Sequence, residues 1–175
     1  MANNSTPVST TSVGLRYGLL TGIVSIIYSF ILLAANLQQN SALALLSFVI
    51  LIVGIILAHK TYKESNNGFM SYGQGLGIGA LVGLVTGLLG GVFNYIYTTF
   101  IDPSAAQRAM EQARAKLEES GSMSDAQIDQ TVQMSQRFSS GPVGIVVALI
   151  SFAIAGFLLS LIIAAITKHN RPEFE

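Results

Sequence analysis

Four intervals of this chain carry no Asp, Glu, Lys or Arg: Tyr17 to Ala35, Ser41 to Ala58, Ser65 to Ile101 and Phe138 to Thr167. A helix needs about 20 apolar residues to cross a hydrocarbon core of about 30 Å, and each interval supplies close to that number or more. The whole chain is 51% hydrophobic and 10% charged, against roughly 25% charged in soluble domains. A soluble bundle would need polar faces on its surface helices. Residues 43–57, LALLSFVILIVGIIL, contain one serine and one glycine in an otherwise apolar run. The sequence therefore predicts an all-α fold, a four-transmembrane-helix bundle with helices at about 14–35, 41–59, 70–101 and 141–167.

Residues 1–12 are rich in Ser, Thr and Asn and include Pro7, the composition of a flexible tail. Residues 13–175 read as a single integral membrane domain. The first apolar run is too long for a signal-peptide core, and LLAAN is a poor cleavage site, so the segment is expected to be retained.

Four crossings put both termini and the HKTYKESNNG loop on one side. Arg16, Lys60, Lys63, Lys168 and Arg171 fall there, close to helix ends, while Arg108, Arg114, Lys116 and Arg137 fall opposite. The bias of basic residues near span ends predicts cytoplasmic termini. Tyr17, Tyr62 and Tyr72 near one boundary, with Tyr95 and Tyr97 near the other, suit the aromatic belts of a bilayer.

The third interval carries eight glycines between Gly73 and Gly91. GLGIGA at 75–80 formally matches G-x-G-x-x-A, but that fingerprint needs a preceding strand and an acidic residue about 20 positions on. Upstream lies the polar ESNNGFM, and the next acid is Asp102. A nucleotide cofactor is not expected. Gly75, Gly79, Gly83, Gly87 and Gly91 instead recur every four residues and form a slowly winding stripe along one helix. In lipid such a stripe lets another helix approach closely. Gly14, Gly18 and Gly22 in helix one, and Gly156, Ser160 and Ala164 in helix four, share that spacing, so helices one and four are expected against helix three.

Residues 102–140 are polar and carry helix punctuation, predicting a helical hairpin inserted between helices three and four. Asp102 and Pro103 open the first helix and Gly121 closes it; Ser124 with Gln127 forms a capping box for the second. Arg114 and Glu118 are placed to pair at i, i+4.

No Asp, Glu, Lys, Arg or His stands within the proposed bilayer core, where proton relays and ion paths usually keep them. His59 and His169 fall at one membrane boundary and read as interface residues, not metal ligands. No nucleophile has a base beside it in a recognisable pattern. No catalytic, cofactor-binding or metal residues are therefore assigned, and the chain is expected not to be an enzyme. Its net charge of zero gives no basic footprint for nucleic acid. Gln74 and Asn94 on helix three are candidate interhelical or path-lining polar residues.

The entry GFMSYGQ at Gly68–Gln74, the exit YIYTTFIDP at Tyr95–Pro103, the helical insertion after it and the closing LLSLIIAAITKHN resemble the bacterial membrane family called domain of unknown function 4199. That resemblance implies a small four-helix protein of the bacterial inner membrane and no catalytic activity. The reading is a non-enzymatic subunit in the lipid bilayer, assembling with itself or a larger membrane protein through its glycine-striped third helix. A small channel or transporter formed by an oligomer is the alternative.

Overall fold

The computed structural model describes residues 9–38 and 40–170. Among them the chain forms six α-helices: α1 (Thr10–Ala34), α2 (Ser41–Ser65), α3 (Tyr72–Ile96), α4 (Ser104–Ser120), α5 (Asp125–Ser139) and α6 (Gly141–Thr167). A π-helical segment, Tyr97–Ile101, continues α3. α1, α2, α6 and α3 with its extension are long and apolar enough to cross a membrane. The chain is a multi-pass membrane protein. No strand forms among the described residues; Met70 and His169 make one isolated antiparallel bridge.

Helix starts fall where a side chain can take up otherwise unpaired backbone N–H groups. Ser9 accepts from the Thr11 amide at 3.2 Å, and Asn40 from the Ala42 and Leu43 amides at 3.0 and 3.3 Å. Asp102 takes the Ser104 amide at 3.2 Å. Ser71 with Gln74, and Ser124 with Gln127, close reciprocal capping boxes. α4 stops at Gly121, whose φ of 60° is left-handed backbone that glycine adopts without strain.

Several boundaries differ from those read in the sequence. Residues 10–12 belong to α1, capped by Ser9, and residues 1–8 of the anticipated tail lie outside the described residues. α2 continues to Ser65 and carries Lys60, Lys63 and Glu64 with it. α3 starts at Tyr72 rather than residue 70, because Met70 exchanges two 2.9 Å backbone bonds with His169. Its far end loosens into the π-helical segment, where the Asp102 amide reaches back five residues to the Tyr97 carbonyl at 2.8 Å.

α3 occupies the centre, flanked by α1 and α6, and α2 packs across all three. The buried cluster gathers at the end carrying the termini: Leu51, Ile55 and Ala58 of α2 meet Ile78 and Val82 of α3, with Val13 and Ile163 closing its sides. Outward, α6 shows Val146, Ile150, Ile154, Leu158, Ile162 and Ile166, a four-residue ridge between 50% and 79% exposed. A continuous aliphatic ridge of this length is a liability in water and an ordinary face in lipid.

α4 and α5 are polar and pack on each other, burying only Ala105 and Ile128. Arg114 ties them, donating to Glu118 at 2.8 Å and Asp129 at 2.6 Å. Arg108 roots the pair on the bundle: its guanidinium contacts Asp102 and Ser104, and its Nε donates to Asn36 in the α1–α2 link at 2.9 Å.

The Asp102 carboxyl is held below its ordinary value by the hydrogen bonds from Arg108 and Ser104 and by the Arg108 charge. A depressed native value means that the contribution of this root is complete above the ordinary carboxylate value of 3.8 and is lost as pH falls through the lowered one. Amide protection in α4, corrected for intrinsic exchange, should therefore stay level from roughly pH 8 down to 5 and fall only in stronger acid. Asp102→Asn should lower it at neutral pH and flatten the profile. A steep loss between roughly pH 7 and 5, the histidine range, would show that another group roots α4.

Candidate functional site

The glycine row of α3 is filled from within the chain. A Cβ added at Gly75 would strike Ala164, at Gly79 the Ser160 side chain, at Gly83 the Phe152 carbonyl, at Gly87 Phe152 and Ala148, and at Gly91 the α6 backbone at Ile145. The reverse holds at Gly156, where a Cβ would strike the Gly79 carbonyl. Backbones this close gain dispersion contacts and Cα–H···O contacts that larger residues would prevent. Ser160 is fully buried, and its hydroxyl has no hydrogen-bond partner among the described residues; it fills the space that a side chain at Gly79 would occupy.

On its other flank α3 is the ridge and α1 the groove. Leu81, Val85 and Leu89 seat on Gly14, Gly18 and Gly22. Thr86, also buried, reaches the Gly18 carbonyl at 3.4 Å. Thr21 of α1 fills the space above Gly54 of α2.

α2 is joined to the other helices by polar contacts at the terminal end. His59, expected at the membrane boundary, is fully buried within the bundle. Its Nε2 lies 2.9 Å from the Gly75 carbonyl and its Nδ1 3.0 Å from the Thr167 hydroxyl, so one ring joins α2, α3 and α6. A carbonyl only accepts, so Nε2 carries the proton, and in the neutral ring Nδ1 accepts from Thr167. Thr167 Oγ1 also lies 2.8 Å from the Ile163 carbonyl, and its single proton serves one acceptor at a time. Around this ring Lys63 donates to the Thr167 carbonyl at 3.0 Å, Tyr17 and Thr61 hydroxyls meet at 2.5 Å, and Tyr72 donates to the Leu161 carbonyl at 3.2 Å. His169, the other histidine singled out, stacks on Phe69 with ring centroids 5.3 Å apart. No group of three His, Cys, Asp or Glu stands close enough to hold a metal ion among the described residues.

The two amides singled out on α3 have different surroundings. Gln74 closes the helix cap on Ser71, accepting from its amide at 2.8 Å, which is a terminal role rather than an interhelical one. Asn94 is exposed at the opposite end, on a cavity of about 740 Å³ between the outer end of α3, the start of α6 and the α4–α5 pair.

One family profile, described as a protein of unknown function (DUF4199), matches residues 16–169. The chain belongs to that family. No curated protein and no solved structure matches it. For this DUF4199 chain, the match runs from the first span to the His169 bridge and takes in both the glycine seam and the histidine clasp.

Reasoning from sequence missed His59 as a structural residue. The available signal was helical phase: Leu51, Ile55, Ala58, His59 and Tyr62 lie on one face of α2, and all are buried. Nothing in the spacing pointed to Thr167, 108 residues away.

In detergent-denaturation titrations, His59→Ala should lower stability by roughly 3 kcal/mol through a cavity and lost hydrogen bonds, and Thr167→Val by about 1 kcal/mol. Values near zero for both would remove the clasp. Gly83→Leu should cost roughly 3 kcal/mol or more by overpacking the seam. Gly90→Ala, where an added Cβ meets nothing, should be neutral or stabilise by up to about 1 kcal/mol.

Proposed function

We propose that this protein is a non-enzymatic subunit of a bacterial inner-membrane assembly, with both termini cytoplasmic and the α4–α5 hairpin on the far side as its docking element. The observation that carries this reading is the division of labour among surfaces. The five-glycine row of α3 already holds α6 of the same chain, so a second copy or a larger membrane protein must meet a different face. On the hairpin, Met134 and Phe138 lie one turn apart on α5 and are 51% and 54% exposed, while Arg114 and Arg108 hold the hairpin in shape and in place. Exposed large apolar side chains on an otherwise polar helix pair are the informative kind of exposure.

Assembly through the third helix, as the glycine spacing suggested, therefore gives way to assembly through the hairpin. A transport path through a single chain would have to part the contact between Gly83 and Gly156. The basic residues near the span ends support the orientation.

The chain has no cysteine, so Met134→Cys offers a single crosslinking handle in native membranes. Crosslinking should yield one discrete product, either a dimer of this chain or an adduct with one larger membrane protein. Phe138→Asp in that background should abolish it while changing bundle stability by less than about 0.5 kcal/mol. Crosslinking only to lipid, or a product indifferent to Phe138→Asp, would reject the hairpin as the docking element.

A further inference from the structure

The cavity beneath α4 and α5 is lined in a way that selects a chemistry. Its volume is about 740 Å³, within the range of sites that hold small molecules or headgroups. Apolar walls come from Met110 of α4 and Val132 of α5, and polar ones from Asn94 and Thr98 at the outer end of α3 and from Gln136 and Ser139 of α5.

The Asn94, Gln136 and Ser139 side chains have no hydrogen-bond partner among the described residues. They are neutral donors and acceptors available to a ligand. The two charged side chains in the lining have opposite sign. Arg114 is engaged by Glu118 and Asp129, and Glu111 accepts from Gln107 at 3.0 Å. Among the described residues, an anion would find no available cation there, and the lining holds no aromatic ring to receive a quaternary ammonium group.

A second, independent feature marks the same place. α3 turns π-helical at Tyr97–Ile101, a geometry that is rare and frequent at functional sites. Thr98 and Thr99 of that segment lie in the lining.

We infer that this cavity binds a neutral polyhydroxyl group, such as the sugar or glycerol end of an uncharged amphiphile. Amides and hydroxyls bond the hydroxyl groups, and Met110 and Val132 cover the carbon skeleton. The same chemistry is offered by a glycolipid headgroup and by a free sugar.

The test is amide exchange on the full chain in phosphatidylcholine nanodiscs, with and without glucosyl-diacylglycerol, with free glucose, and with phosphatidylglycerol. At ten times its dissociation constant, a ligand should slow exchange in residues 98–110 and 132–141 about elevenfold. Asn94→Leu and Gln136→Leu should each remove most of that slowing. Gln133→Leu, on α5 but outside the lining, should leave it intact, and helical content by circular dichroism checks that each variant folds. Slowing by glucosyl-diacylglycerol alone assigns the site to a lipid headgroup, and equal slowing by glucose assigns it to a soluble sugar. Equal slowing by phosphatidylglycerol, no slowing by any addition, or slowing indifferent to both lining variants overturns the proposal.

Discussion

The bundle depends on the contact of two backbones, α3 against α6, where Gly83 meets Gly156 and the Phe152 carbonyl with no side chain between them. In lipid, burying an aliphatic side chain against another helix gains little, because the acyl chains it leaves are equally apolar. Association must then come from fit, from dispersion at short range and from backbone polar contacts. A row of glycines supplies fit at the cost of helix propensity. On the α1 side the pattern is inverted, with glycines in α1 and branched side chains in α3. α3 is thus groove to one neighbour and ridge to the other, which fixes its place in the middle.

α2 has no such row, since Gly54 alone receives a side chain, that of Thr21. Its attachment is chemical, through the His59 ring shared with Gly75 and Thr167 and through the Lys63 contact with the end of α6. The two mechanisms complement each other along the membrane normal. Packing joins α1, α3 and α6 through their length, while hydrogen bonds fasten α2 at the end where the termini lie.

How much of this was legible in the sequence follows from which constraints are local. The four spans were readable because a bilayer dictates composition over a long run, and no tertiary contact changes that requirement. The glycine rows were readable as periodicity, but spacing does not say which helix fills a groove; that depends on the packing of α6, whose Gly156 lies 73 residues beyond Gly83 in sequence. His59 was read by its place at the end of a span rather than by the buried face it shares with Leu51 and Ile55. Gln74 was weighed as a membrane amide although S-x-x-Q at 71–74 is itself a cap signature. The π-helical turn and the cavity beside it left no pattern at all, because both arise from how α4 and α5 meet the bundle.

The two ends of the molecule follow from this. At the terminal end, His59, Lys63, Tyr17, Tyr72 and the Met70–His169 bridge tie all four spans together, so local opening there breaks several bonds at once. At the other end, α4 and α5 bury two residues, and Arg108 joins them to the bundle beside the packing of α5 on α6. Local stability scales with such contacts, and segments that bind or move are drawn from its lower range. A protein that needed to exchange partners or ligands without disturbing its membrane anchor would concentrate rigidity at one end and leave the other lightly held. That asymmetry is why the hairpin and the space beneath it, rather than the more regular glycine seam, are where a function for this DUF4199 chain is placed.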